Sequence, residues 1–115
     1  NVWDKGHMAP AAAFKCEEEE LKATFSYLNC ALQHEGLNRG PWKHLESHER
    51  ELAKQYGYVD VKIIVHFEKP IRRVPAGAAI PSSFSKFIFT PNGTFIKFTM
   101  PNTDLKGRNY LEFKQ

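Results

Sequence analysis

Asn92-Gly93 does more than any other pair of residues to limit what this chain can fold into. An Asn-Gly step between two runs of β-branched and aromatic residues is the strongest short-range signal for a β-hairpin. Here it follows Pro91 and separates residues 84–90 from residues 94–100, which predicts two antiparallel strands. Residues 60–67 (DVKIIVHF) are apolar and β-branched and read as a central strand. A helix is bounded as sharply: Pro41 suits a first helical turn, and Gly57 ends a run to about Tyr56. Trp42, Leu45, Leu52 and Tyr56 mark its predicted buried stripe, while Glu46 and Arg50, four apart, pair along one side. These features predict an α+β fold with a mainly antiparallel sheet and one long charged helix.

The rest of the chain is less regular. Residues 2–14 begin extended and become alanine-rich around Pro10. Residues 16–25 predict a short helix with its glutamates at the N-terminal end, where the helix dipole favours them. Residues 26–32 read as a short buried strand with Asn29 as its odd polar member, and residues 36–40 as a turn. Residues 68–83, with three prolines and Arg72-Arg73, predict a long loop, and residues 110–113 a further short strand. There is no internal repeat.

At 115 residues and 42% hydrophobic content, the expectation is a single domain over residues 1–115 with one modest core. Nine phenylalanines, four tyrosines and two tryptophans weigh against disorder. No apolar run approaches the roughly 20 residues of a membrane span. Asp4, Lys5 and Gly6 interrupt any signal-like stretch, so a targeting segment would lie upstream of Asn1. Cys16 and Cys30 make neither a metal-ligand spacing nor a disulfide framework, and Cys30 reads as a small buried hydrophobe. Residues 1–50 carry six Lys/Arg against eight Asp/Glu and residues 51–115 ten against five, so the basic C-terminal half can contact phosphates.

Individual polar residues have ordinary readings. A histidine after glycine, such as His7, is usually a turn residue, and Asn38 ahead of a helix is usually its cap. Glu46 and Arg50 alone make a solvated ion pair of little worth. His44 and His48 stand four apart, but His-Leu-Glu-Ser-His is not the zinc motif His-Glu-x-x-His. Asn92-Gly93-Thr94 matches the N-glycosylation pattern, though its main reading is the hairpin turn. At 100° per residue, Glu46 lies about 80° and Arg50 about 120° from the Asn38 direction, so one helix arc can present all three to a common cleft.

Taken in order along the chain, five blocks resemble the DNA/RNA non-specific endonucleases. They are Asp4-Lys5-Gly6-His7, residues 25–33 with Asn29 and Gln33, Asn38 with Trp42, Leu45, Glu46 and Arg50, residues 77–86, and residues 98–102. The resemblance implies a ββα-metal finger core and Mg²⁺-dependent hydrolysis of phosphodiester bonds in both DNA and RNA, with Mn²⁺ as the alternative ion. His7 would be the general base, suited by a titration range near neutral pH. Asn38 would be the direct ligand of one Mg²⁺, an ion that keeps several waters. Glu46 would accept hydrogen bonds from water around the ion, and Arg50, Lys5 and Arg39 would contact the phosphate backbone. Asp4, Asn29 and Gln33 would support these groups. Chemistry aimed at the backbone carries little sequence preference.

Three departures stand out. Lys5 replaces the usual arginine and loses its bidentate fork. Val65-His66-Phe67 stands where relatives show Thr-Gly-Pro. The chain also resembles only the middle of such a domain, lacking strands before His7 and a helix after Phe113. The expected partners are therefore nucleic-acid backbones together with a second copy or a complementary chain that supplies the missing strands. The alternative function is an inactive nuclease-like subunit that binds nucleic acid or supports an assembly. A mitochondrial location is favoured over a secreted one.

Overall fold

The computed structural model describes residues 1–8, with His7 by its backbone alone, and residues 30–115. β1 (Trp3–His7) and β2 (Cys30–His34) form an antiparallel ribbon with Asp4 opposite Gln33 and Gly6 opposite Ala31. The helix expected over residues 16–25, together with Asn29 and most of the strand expected over 26–32, lies outside the described residues. The described part of that strand runs two residues farther than expected, to His34.

Where a turn was expected over residues 36–40, the chain first makes one helical turn, α1 (Glu35–Asn38). His34 caps it, its Nδ1 accepting from the Gly36 amide at 3.0 Å. The usual capping residues are Ser, Thr, Asp and Asn, so this start is hard to foresee. Gly40 then permits a close crossing: a Cβ there would lie 2.5 Å from the Gly36 carbonyl oxygen. α2 (Pro41–Tyr56) follows and ends at Gly57, whose φ of 91° favours glycine. Its buried residues are Pro41, Trp42, Leu45 and Glu49, with Leu52 half-buried behind them. Tyr56, expected in the stripe, is exposed. Two heptads beyond Trp42 the stripe has rotated about 40° off its starting direction, which turns the last position toward solvent.

β3 (Asp60–His66) comes next, and the loop expected over residues 68–83 holds a miniature ribbon of β4 (Arg72–Arg73) and β5 (Ala79–Ile80). Two-residue strands among three prolines are too short to show any periodicity. The predicted hairpin is β6 (Ser83–Phe89) and β7 (Phe95–Pro101), closed by a turn in which Gly93 N–H donates to the Thr90 carbonyl at 3.1 Å. The sheet order is β3-β6-β7, so among the described strands β6 is central and β3, expected in the middle, is an edge. Residues 110–113, expected as a strand, form a 3₁₀ helix (Tyr110–Phe113). Asn109 and Glu112 make a reciprocal capping box there, and satisfying those amides selects helix over strand.

α2 packs across one face of this sheet. Trp42 meets Phe84 at 5.7 Å between ring centroids, and Leu45, Ile88, Phe98 and Met100 close the core around them. A smaller cluster of Cys30, Leu32 and Ala78 joins the β1–β2 ribbon to the β4–β5 ribbon. Cys30 is fully buried, as expected, but it is disulfide-bonded rather than a free thiol, which corrects the sequence reading. Asn102 fastens the two halves together. Its Nδ2 donates to the carbonyls of Leu32 (3.0 Å) and Pro81 (2.9 Å), and its Oδ1 accepts from the His34 amide at 2.8 Å.

Candidate active site

The ribbon and the C-terminal end of α1 converge on Asp4. Its Oδ2 accepts from Asn38 Nδ2 at 3.0 Å and from Arg39 Nε at 3.0 Å, while Oδ1 accepts from Arg39 Nη2 at 2.9 Å. These bonds from Arg39 first, and then Asn38, hold the Asp4 carboxyl below its ordinary pKa. Asn38 ends α1, so the one-turn helix delivers the amide to the strand. A carboxylate only accepts, so the amide nitrogen must face Asp4, and the Asn38 Oδ1 must point the other way. That oxygen is a suitable ligand for a hard cation that keeps most of its water.

Gly6 and Gln33 form the floor beside this group. A Cβ on Gly6 would stand 2.0 Å from Gln33 Oε1 and 2.6 Å from its Cδ, so only glycine admits the Gln33 side chain. Gln33 is completely buried, and neither its Nε2 nor its Oε1 has a hydrogen-bond partner among the described residues. Leaving such a group unsatisfied costs about 1–3 kcal/mol.

The other expected site residues fall in three places. His7 ends β1 with its backbone opposite Cys30; its side chain and Asn29 lie outside the described residues. Lys5 leaves the strand on the face opposite Asp4, as strand alternation requires, and lines a cleft of about 790 Å³ with Trp3, Leu32 and Val74. Arg39, expected to contact substrate, is 67% exposed yet spends its fork on Asp4, with Glu35 Oε2 3.5 Å away. Glu46 is half-buried on α2. Arg50 is exposed, and its guanidinium donates to Ser47 Oγ at 3.0 Å, one turn back along the helix. Asp4, Asn38 and Arg39 are thus brought into contact, whereas Lys5 opens onto a different cleft.

One pair escaped the sequence reading of the site. Glu49 of α2 and Lys86 of β6 form a buried ion pair, with the Lys86 ammonium 4.3 Å from the Trp42 ring centroid. A signal for it was present. Glu49 occupies the helix stripe between Leu45 and Leu52, and Lys86 the inward position between Phe84 and Ile88. His48 packs on Tyr110 at 5.5 Å. Among the described residues there is no group of three or more His, Cys, Asp or Glu that could hold a metal ion.

Comparison with known proteins places this geometry in context. The family model for DNA/RNA non-specific endonuclease matches residues 1–114. The salivary endonuclease of Lutzomyia longipalpis is 30% identical over 102 residues, 79% of this chain and 24% of that protein. The mitochondrial nuclease of Saccharomyces cerevisiae is 34% identical over 75% of this chain and 30% of its own length. Among solved structures, the EndoG/EndoGI complex, described as showing the mechanism of EndoG inhibition, contains a chain similar to this one. It matches with a TM-score of 0.68 and 27% identity over 99% of this chain and 54% of that chain. The chain therefore spans well under half the length of these curated relatives and about half of the solved nuclease.

Proposed function

Because the chain belongs to the DNA/RNA non-specific endonuclease family, we propose that it carries the catalytic core of a sequence-tolerant, Mg²⁺-dependent nuclease of DNA and RNA. The observation that carries this reading is the Asp4–Asn38 hydrogen bond, which fixes an amide so that its oxygen is the atom offered to a cation. A divalent ion held there supplies positive charge against the charge that develops on the phosphate and the leaving oxygen.

The chain's own residues divide the remaining work. His7 takes the proton from the attacking water, and its place at the end of β1 puts it three residues from the clamp on Asn38. Glu46, half-buried on the helix that follows Asn38, orders water on that side of the cleft. Arg50 and Lys5 meet the phosphate backbone from outside; the Ser47 contact of Arg50 is exposed and easily exchanged for a phosphate. Arg39 keeps Asp4 ionised and oriented in addition to facing substrate. Gln33 and Asn29 support the floor. Contacts of this kind read the backbone rather than base edges, so DNA and RNA are both substrates. In the working enzyme, residues 1–115 act as one domain in which β3, an edge among the described strands, is covered by further strands or a second copy.

Plasmid nicking with Mg²⁺ and with EDTA, alongside His7→Ala, tests the proposal. Cleavage should require the ion and vanish in the variant while its circular dichroism is retained. Undiminished cleavage by His7→Ala would sink the assignment of the base.

A further inference from the structure

We propose that Asn92 is an N-glycosylation site and that the protein travels the secretory route. Asn92-Gly93-Thr94 is the only Asn-x-Ser/Thr in the sequence, and the structure puts it at the exposed tip of the β6–β7 hairpin. Such a sequence is modified only where the acceptor amide can reach a transferase, which the hairpin tip allows. The side chain is also preset. Asn92 Oδ1 accepts from the Thr94 amide at 3.2 Å and from the Thr90 hydroxyl, so the oxygen is tied to the turn and Nδ2 is left facing outward.

The surroundings suit a sugar. Phe89 and Phe95, three residues to either side of Asn92, are 39% and 59% exposed, with ring centroids 5.9 Å apart. Neither packs in the core, so the two rings offer an exposed apolar surface beside the acceptor. The carbon-bound hydrogens of a hexosamine ring supply an apolar face for them. Independently, the disulfide at Cys30 is of the kind that forms and persists in oxidising compartments such as the secretory route. In the transfer, Asn92 Nδ2 bonds to the anomeric carbon of an oligosaccharide carried on a lipid pyrophosphate. The bond from that carbon to the pyrophosphate oxygen breaks, the lipid pyrophosphate leaves with the electron pair, and Nδ2 gives up one proton to the transferase.

The test uses protein purified from its own source, treated with peptide N-glycosidase in heavy-oxygen water, with an untreated sample controlling for spontaneous Asn-Gly deamidation. Trypsin releases residues 87–97 as one peptide carrying Asn92. The proposal predicts that this peptide carries glycan before treatment, and afterwards shows Asn92 converted to heavy-labelled aspartate. Recovery of the peptide with unmodified Asn92 as the main form would overturn it. In secretory expression of the full chain, Thr94→Ala should remove the glycan mass from the intact protein. A glycan retained by Thr94→Ala would also overturn the assignment.

Discussion

Two junctions in this molecule hold opposite charges together, and they do so by different means. At the ribbon, Arg39 grips Asp4 with an exposed guanidinium; at the helix–sheet interface, Lys86 meets Glu49 almost wholly out of solvent. The exposed clamp adds little to stability, because water competes for both partners. Its effect is orientational, since it keeps the Asp4 carboxylate in place to take the Asn38 amide. The buried pair has the reverse character. It ties α2 to β6, and each charge depends on the other being there.

The contrast is sharpest if one charge is removed. Lys86→Met should destabilise the protein by about 3–5 kcal/mol in urea denaturation, because Glu49 is left buried without its partner. The double variant Lys86→Met with Glu49→Leu should recover most of that loss. A single variant that unfolds like the wild type would show that Glu49 reaches water, and the distinction between the two junctions would fail.

Asn102 tests whether the ribbon depends on the sheet. Asn102→Ala removes three hydrogen bonds, two of them buried, and should cost about 2–3 kcal/mol. It should also speed hydrogen exchange at the His34 amide before the amides of β6 are affected. Equal acceleration in both regions would mean that ribbon and sheet unfold as one unit.

The smallest stability effect is expected at Asp4. Its pKa is lowered on folding, chiefly by the Arg39 hydrogen bonds, so its contribution is present above the ordinary carboxylate value of about 3.9 and is lost as pH falls through the lower folded value. The stability difference between wild type and Asp4→Asn should therefore be constant near neutrality and shrink only below about pH 4. A difference that shrinks near pH 7 would point to a histidine instead.

The two junctions were also unequally legible in the sequence. Asp4, Asn38, Gln33 and Gly6 belong to short motifs, and the site's support could be read from them by resemblance. The hairpin around Asn92-Gly93 and the helix between Pro41 and Gly57 were legible because turn and cap chemistry is local. Glu49 and Lys86 received no reading as a pair, although each stands at an inward position of its element. The apolar run at Tyr110–Phe113 predicts a strand, and the Asn109–Glu112 cap makes it a 3₁₀ helix instead. α1 is a single turn started by an unusual histidine cap, and β4 and β5 are two residues each, so neither leaves a periodic trace.

The central claim is that Asp4 fixes Asn38 as the ligand for the metal. The most direct measurement is a Mg²⁺ titration of plasmid nicking by the wild type and by Asp4→Asn, with Asn38→Ala as the benchmark for a lost ligand. Asp4→Asn should raise the half-saturating Mg²⁺ concentration by roughly 10- to 100-fold, the range for losing a group that orients a ligand. A half-saturating concentration unchanged from wild type would contradict the claim.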